Sequence, residues 1–250
     1  MTSNPSPLTR FPIRILFAVV FLLAPQAVLG EDKKPSSDAV TPAPRKENKG
    51  WMSRHERFQA RARQGNVEVL FLGDSITQGW EGNGKQVWKE RYEPLHAANF
   101  GIGGDRTQHV LWRLREGKEL EGIHPKVVVL MIGTNNTGSN SSEDIADGIT
   151  AIVQELGTQR PDAKLLLLGV FPRSPKASDK IRDKIKAINE RIAKLDDGKH
   201  VRYLDIGDKF LEKDGSLSKE IMPDYLHLSP KGYTIWADAI QPSLDEMLKR

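Results

Sequence analysis

The amino-acid sequence predicts an α/β domain in which a five-stranded parallel sheet lies between two layers of helices. Five short apolar segments alternate with segments of helical periodicity, which is the pattern of repeated β-α-β units. The strongest of these segments are continuous apolar runs rather than strict alternations of apolar and polar residues, as is typical of strands that are covered on both faces. Right-handed crossovers between such strands produce three layers.

The predicted elements follow one another in a regular order. Strands are predicted at residues 67–72, 97–102, 127–132, 164–170 and 201–206, of which the second is the weakest. Helices are predicted from apolar stripes at helical spacing, which contain Ile145, Ile149, Ile152, Val153 and Leu156, then Ile181, Ile185, Ile188, Ile192 and Leu195, and finally Tyr233, Trp236, Ala237, Ile240 and Leu244. In such sheets, ligands bind beyond the carboxyl ends of the strands.

Residues 1–30 have the order of a secretory signal peptide. Arg10 and Arg14 precede an apolar run at residues 15–24, and the small or modest side chains of Val28 and Gly30, three and one positions before the cut, predict cleavage after residue 30. A retained anchor is the alternative, but the run is shorter than the roughly 20 residues that a membrane span needs. We therefore expect an exported protein, periplasmic or secreted, with no stable membrane span after cleavage.

Residues 31–50 are rich in charge, proline and serine, and they predict a disordered linker. The folded domain is accordingly predicted at residues 51–250. The whole chain of 250 residues has a net charge of +4, of which the signal peptide contributes two arginines and no acid. The remaining excess of positive charge is small, and the Lys and Arg residues are interspersed with Asp and Glu. This distribution does not favour a nucleic-acid partner.

The chain contains no cysteine. Disulfides, thiolate metal ligands and a cysteine nucleophile are therefore excluded. A chain without thiols is also compatible with an oxidising compartment.

The ends of the predicted strands carry the candidate chemistry. The first strand is followed by Gly73-Asp74-Ser75. A serine hydroxyl becomes nucleophilic when a base accepts its proton, so Ser75 needs a histidine nearby in the fold. The alternative is that Asp74 or Ser75 only caps the following helix.

Among the six histidines, His227 is the one in the loop after the last strand. Asp224 precedes it by three positions, and in a tight loop this spacing brings a carboxylate beside the imidazole. Asp224 could then hold Nδ1–H and leave Nε2 free to accept the serine proton. The alternatives are a half-buried loop histidine and a plain turn residue after Pro223.

Acyl transfer also needs hydrogen-bond donors for the oxyanion that forms on attack. Gly104 follows the second strand and can present its backbone N–H, while Asn135 follows the third strand and can present its amide. Each could instead be an ordinary turn residue. The sequence predicts that these donors, the nucleophile and the base meet at one edge of the sheet.

These blocks resemble those of the SGNH (GDSL-type) hydrolases. Gly73-Asp74-Ser75-Ile76 matches the first block, with Ile in place of the usual Leu; Gly104 matches the second, Gly133-Thr134-Asn135 the third, and residues 224–227 the last. The match is closer to the catalytic subunits of intracellular platelet-activating-factor acetylhydrolase, through residues 51–55, 99–114 and 224–228. Asn136 stands where many SGNH enzymes have Asp, although the acetylhydrolase branch looks the same here.

The resemblance implies a flavodoxin-like (SGNH hydrolase) sheet, neither metal nor cofactor, and ester hydrolysis through an acyl-serine intermediate. It implies Ser75 as nucleophile, His227 as base and Asp224 as its partner. The N–H groups of Ser75 and Gly104 and the amide of Asn135 would form the oxyanion hole. Because the acetylhydrolase subunits associate, a homodimer is also an expectation.

We expect a serine esterase that removes short acyl groups, acetyl above all, from oxygen esters. Export and family together favour acetylated carbohydrate as the substrate. One alternative is a lipid-directed acetylhydrolase or lysophospholipase of the same fold, and another is a non-catalytic binding module. A nucleotide site at residues 101–106 is disfavoured, because Arg106 occupies the last glycine position of the G-x-G-x-x-G pattern.

Overall fold

The computed structural model describes residues 1–3 and 37–249 of the chain. The predicted signal peptide therefore lies outside the described residues, apart from its first three. The contacts divide the chain into two units, Met1–Lys34 and Pro35–Arg250, and the second unit contains the sheet. None of the described helices is long and apolar enough to cross a membrane.

A single parallel sheet of five strands organises the domain, as the sequence predicts. The strands are β1 (Val69–Gly73), β2 (Ala97–Gly101), β3 (Val127–Met131), β4 (Lys164–Leu168) and β5 (Val201–Leu204). Their spatial order is β2-β1-β3-β4-β5, so β1 lies between β2 and β3. The loops that follow β2 and β3 therefore flank the end of β1.

Helices cover both faces of this sheet. They are α1 (Lys49–Arg63), α2 (Ser75–Gln78), α3 (Lys85–Arg91), α4 (Thr107–Leu114), α5 (Ser142–Gln159), α6 (Lys180–Ile192) and α7 (Pro230–Leu248). The three stripes predicted from the sequence correspond to α5, α6 and α7. The fold is thus three-layered α/β, as expected.

Successive residues of each strand pack into two separate hydrophobic cores. Leu70 and Leu72 of β1 face a core that includes side chains of α1, α4, α5 and α6. Val69 and Phe71 face the opposite core, which α7 covers with Trp236. In the central strands β1 and β3 every residue is buried, and this explains their continuous apolar runs.

The domain begins earlier than residue 51, the start predicted from the sequence. Ala39 is fully buried, and its carbonyl accepts a hydrogen bond of 2.7 Å from the Thr107 hydroxyl. The Ala43 N–H donates to the carbonyl of Gln108 at 3.1 Å. The part of the predicted linker that the structure describes, from residue 37, thus packs on α4 and its surroundings. Its contacts are mainly polar, so they leave no apolar pattern in the sequence.

Candidate active site

Ser75 is the first residue of α2, directly beyond the end of β1. Asp74 caps this helix, because its Oδ1 accepts a hydrogen bond of 2.9 Å from the N–H of Ile76. A Cβ on Gly73 would lie 2.2 Å from Thr77 Oγ1 and 2.3 Å from the Met131 carbonyl, so only glycine fits this tight turn. Capping therefore belongs to Asp74, and the Ser75 hydroxyl is free to point out of the turn.

The structure brings Ser75, His227 and Asp224 into one hydrogen-bonded chain. Ser75 Oγ lies 2.9 Å from His227 Nε2, although 152 residues separate them in the sequence. His227 Nδ1 lies 2.7 Å from Asp224 Oδ2. When Nδ1–H donates to Asp224, Nε2 carries a lone pair directed at the serine hydroxyl.

The loop that carries His227 is rigidly held at both ends of the Asp224–His227 pair. Asp224 Oδ1 accepts hydrogen bonds from the N–H groups of Leu226 (3.0 Å) and His227 (2.7 Å), which forms an Asx-type turn. Beyond His227, Ser229 caps α7, and its hydroxyl donates to the Glu220 carbonyl at 2.6 Å. The imidazole therefore has little freedom to leave Ser75.

Asp224 is ionised in this arrangement. Partial burial raises the pKa of its carboxyl, but hydrogen bonds from the His227 imidazole and from the N–H groups of His227 and Leu226 outweigh that effect. The pKa of Asp224 accordingly lies below its usual value. A carboxylate at this place stabilises the positive charge that His227 acquires when it accepts a proton.

The Gly103-Gly104 turn lies beside the nucleophile. A Cβ placed on Gly103 would be 3.8 Å from the Cβ of Ser75. Gly104 has a φ of +76°, a conformation that glycine adopts without strain, and a Cβ there would be 3.1 Å from the Arg45 guanidinium. Within the described part of the chain, the Gly104 N–H donates to no acceptor, so it is available to a ligand.

Asn135 reaches over the end of β1 from the side of β3, whereas Gly104 lies on the side of β2. Asn135 lies in the turn Thr134–Asn136 after β3, and its Nδ2 donates a hydrogen bond of 2.9 Å to the backbone carbonyl of Asp105, in the loop after β2. Only one of its two amide hydrogens is used in this bond. The structure thus brings all five sequence-predicted site residues to the carboxyl edge of the sheet.

Asn136 has a structural position next to Asn135. Its side chain is fully buried, and its Oδ1 accepts a hydrogen bond of 3.0 Å from the Thr107 N–H at the start of α4. Its Nδ2 donates to Gln108 Oε1 at 3.0 Å. An amide can accept and donate at once, which a carboxylate at this place could not do.

Asp74 is a fully buried carboxyl next to the nucleophile. Burial raises its pKa from 3.8 to about 7, the N–H of Ile76 opposes this, and the nearby charge of Asp105 adds to it. Among the residues that the structure describes, Asp74 Oδ2 has no hydrogen-bond partner. Asp74 therefore changes its protonation state near neutral pH.

A polar cavity of about 550 Å³ opens beside Asn135 and Asp224. Its other lining residues include Thr134, Arg173 and Tyr225. The guanidinium of Arg173 is half-buried, and among the described residues its hydrogen bonds are long, of 3.5 and 3.4 Å, to the carbonyl and hydroxyl of Thr134. This cavity can hold a substrate portion rich in hydrogen-bonding groups.

One set of residues around the site is absent from the sequence-based prediction. Asp105, Arg113 and Glu119 are fully buried and form a network of charges behind the Gly103-Gly104 turn. Trp51 donates to the same Asp105 carboxylate. Charged residues in helices and loops usually indicate solvent exposure, so nothing in the sequence distinguished these from surface residues.

Comparison with known proteins agrees with this geometry. The model of the GDSL-like lipase/acylhydrolase family matches residues 71–235 of the chain. Platelet-activating factor acetylhydrolase IB subunit alpha1 of Bos taurus is 42% identical over 221 residues, which cover 87% of this chain and 92% of the relative. Subunit alpha2 of the human enzyme is 45% identical over 184 residues, which cover 73% and 78% of the two chains.

Solved structures share the fold at lower sequence identity. A GDSL-like lipase of Bacteroides thetaiotaomicron has a TM-score of 0.60 at 20% identity, covering 78% of this chain and 98% of its own. A catalytic mutant of an acetylxylan esterase of Geobacillus stearothermophilus has a TM-score of 0.58 at 18% identity, covering 74% and 96%. From the family model and the relatives above 40% identity, the chain belongs to the GDSL-like lipase/acylhydrolase family and is a carboxylic ester hydrolase.

Proposed function

We propose that the chain is a serine esterase that removes acetyl groups from oxygen esters through an acyl-serine intermediate. The observation that carries this proposal is the hydrogen-bonded chain from Ser75 Oγ through His227 to the Asp224 carboxylate. Such a chain activates a hydroxyl that is otherwise a weak nucleophile.

In the first half of the reaction, Ser75 Oγ attacks the carbonyl carbon of the ester while His227 Nε2 takes the hydroxyl proton. The tetrahedral intermediate then collapses, the bond to the alcohol oxygen breaks, and His227 returns the proton to the leaving alcohol. In the second half, water attacks the acyl-serine, and its proton passes to His227. The second tetrahedral intermediate then collapses, His227 returns this proton to Ser75 Oγ, and the carboxylic acid is released.

The negative charge that develops on the carbonyl oxygen needs donors that are already in place. We assign this role to the N–H groups of Ser75 and Gly104 and to the free amide hydrogen of Asn135. The N–H of Ser75 lies in the first turn of α2, where intrahelical acceptors are missing. Removal of one such donor typically lowers kcat by about 10²- to 10³-fold.

A short acyl group is favoured because the relatives that match most of the chain are acetylhydrolases by name. The alcohol side of the ester is a separate question. Threonine, asparagine, serine and arginine line the cavity beside Asn135 and Asp224, and they suit a hydroxyl-rich alcohol. We therefore propose an acetylated carbohydrate as the substrate.

A second candidate is an acetylated phospholipid, which the relatives' name favours. The experiment is a substrate panel with purified protein: 4-nitrophenyl esters of increasing chain length, acetylated xylo-oligosaccharides, and an ether phospholipid that carries an acetyl ester. Ser75→Ala serves as the control. Cleavage of the acetylated sugars supports the carbohydrate proposal, whereas cleavage of the phospholipid alone would refute it.

Export after cleavage at residue 30 and association into a homodimer remain predictions. The order of charged, apolar and small residues at positions 1–30 supports export. Cell fractionation, with N-terminal sequencing of the mature chain, tests it. An uncleaved chain in the cytoplasmic fraction would contradict it.

A further inference from the structure

Within the described residues, the side-chain amide of Asn135 makes one hydrogen bond, and this bond crosses the end of β1. Asn135 Nδ2 donates to the carbonyl of Asp105 at 2.9 Å. An amide group is planar with a fixed angle between its two N–H bonds, so a fixed direction for one N–H restricts the direction of the other. The orientation of the proposed oxyanion donor therefore depends on where the Asp105 carbonyl lies.

The side chain of Asp105 is anchored on both of its oxygens. Trp51 Nε1, from α1, donates to Oδ1 at 2.6 Å, and Arg113 Nη1, from α4, donates to Oδ2 at 2.8 Å. The carboxylate is fully buried, so water cannot replace either donor. Two helices on one face of the sheet thereby determine the position of this residue.

Arg113 is itself immobilised by further buried groups. Its Nη2 donates to the Phe100 carbonyl at the end of β2 and to Glu119 Oε2, both at 2.6 Å. His55 Nδ1 lies 2.8 Å from the other oxygen of Glu119. A buried network of this kind, in which both carboxylates bond to the Arg113 guanidinium, is rigid, and it ties the loop after β2 to the sheet.

We propose that the buried network of Trp51, Asp105, Arg113 and Glu119 positions Asn135 for oxyanion stabilisation. These are positioning residues, since they support the loop after β2 from the protein interior and act on the reacting oxygen through the Asn135 amide. The proposal rests on the assignment of Asn135 as an oxyanion donor in the proposed function. Its physical basis is that a misplacement of about 1 Å in a preorganised site can reduce the rate by about 10²-fold.

Trp51→Phe is the sharpest test, because it removes one N–H donor and keeps an aromatic ring. The matched control is Trp112→Phe, since the two indoles lie 5.6 Å apart in the same cluster and Trp112 does not bond to Asp105. With 4-nitrophenyl acetate, we expect Trp51→Phe to lower kcat about tenfold. KM should stay within about twofold, because the loss appears only in the transition state. Trp112→Phe should leave both constants unchanged.

The loss of kcat caused by Trp51→Phe must also disappear when the side-chain amide of Asn135 has been removed. In an Asn135→Ala background, adding Trp51→Phe should change kcat by less than about twofold, since residues acting through one group are not additive. An equal loss in both backgrounds, or an unchanged kcat in Trp51→Phe alone, would overturn the positioning role. Full activity of Asn135→Ala would instead refute the oxyanion assignment, which is a separate failure.

Should Trp51→Phe not fold, as judged by circular dichroism, Asp105→Asn takes its place. The asparagine keeps an acceptor but turns an N–H group toward one of the two donors, which displaces the loop. The effect of Asp105→Asn on kcat is then compared between the chain that retains Asn135 and the Asn135→Ala variant. A loss confined to the background that retains Asn135 is the expected result, and an equal loss in both overturns the proposal.

Discussion

Replacing Asp74 with asparagine should change how the free energy of unfolding depends on pH. The carboxyl is fully buried, and its pKa is raised from 3.8 to about 7. The native state therefore holds this proton more tightly than the unfolded state does. The resulting stabilisation is complete below about pH 4 and is lost as the pH rises through about 7.

The size of the effect follows from these two values. Each unit of pKa shift corresponds to about 1.4 kcal/mol. Between pH 5 and pH 8, the wild-type chain should lose about 2.5 kcal/mol of stability through Asp74. Asparagine has the same shape and can still accept from the Ile76 N–H, but it does not titrate, so the variant should lack this loss.

Urea unfolding of the wild type and Asp74→Asn at pH 5 and pH 8 measures the difference directly. Taking the difference between the two proteins removes the contributions of all other titrating groups. The variant should gain about 2.5 kcal/mol relative to the wild type between the two pH values. A difference that is independent of pH would show that Asp74 is ionised in the native state at pH 5 and would contradict its raised pKa.

Other changes test the remaining features of the site. Ser75→Ala and His227→Ala should each lower kcat by about 10⁶-fold in steady-state esterase assays while the melting temperature is retained; retention of most activity in either variant would contradict the assignment. Asp224→Asn should lower kcat by about 10²- to 10⁴-fold, and an unchanged kcat would make the carboxylate dispensable. Gly104→Ala places a side chain at a φ of +76°, which strains the turn and displaces its N–H; we expect a large fall in kcat with only a small fall in the melting temperature. Unchanged kinetics would count against the Gly104 N–H as an oxyanion donor. Burial and neighbouring guanidinium groups lower the pKa of His109 from 6.5 to about 4, so stability should fall as the pH falls through this range, and His109→Gln should flatten that decline in thermal melts.

The strands and helices could be predicted from the sequence because each one buries a contiguous apolar surface. Val127–Met131 of β3, for example, contributes alternate side chains to the two cores, and this leaves an uninterrupted apolar run. The strand ends differ by up to two residues from those predicted. Such ends depend on backbone hydrogen bonds with neighbouring strands, which the sequence does not show.

The candidate site could be predicted because parallel strands bring their carboxyl ends to one edge. Ser75 and His227, 152 positions apart, meet there at hydrogen-bond distance. The family resemblance identified which glycine and which asparagine to consider. That the chain belongs to the GDSL-like family is confirmed, while the individual catalytic roles remain proposals.

The supporting residues could not be predicted, because no pattern in the sequence shows which charged side chains pair inside the domain. Arg113 is fully buried, yet it occurs in a segment with charges similar to those on the surface. Its partners Asp105 and Glu119 lie in the loops before and after α4, and only the folded backbone brings both carboxylates onto the guanidinium. The packing of residues 37–48 escaped prediction for the same reason, since it depends on single polar contacts.

The central claim is that the Ser75 hydroxyl becomes the acyl carrier. An organophosphonate ester traps such a serine covalently, and peptide mapping by mass spectrometry locates the adduct. We expect one adduct per chain, on Ser75, with loss of esterase activity in proportion to labelling, and much slower labelling in His227→Ala. An adduct on another residue, or full activity after Ser75 is labelled, would contradict the account.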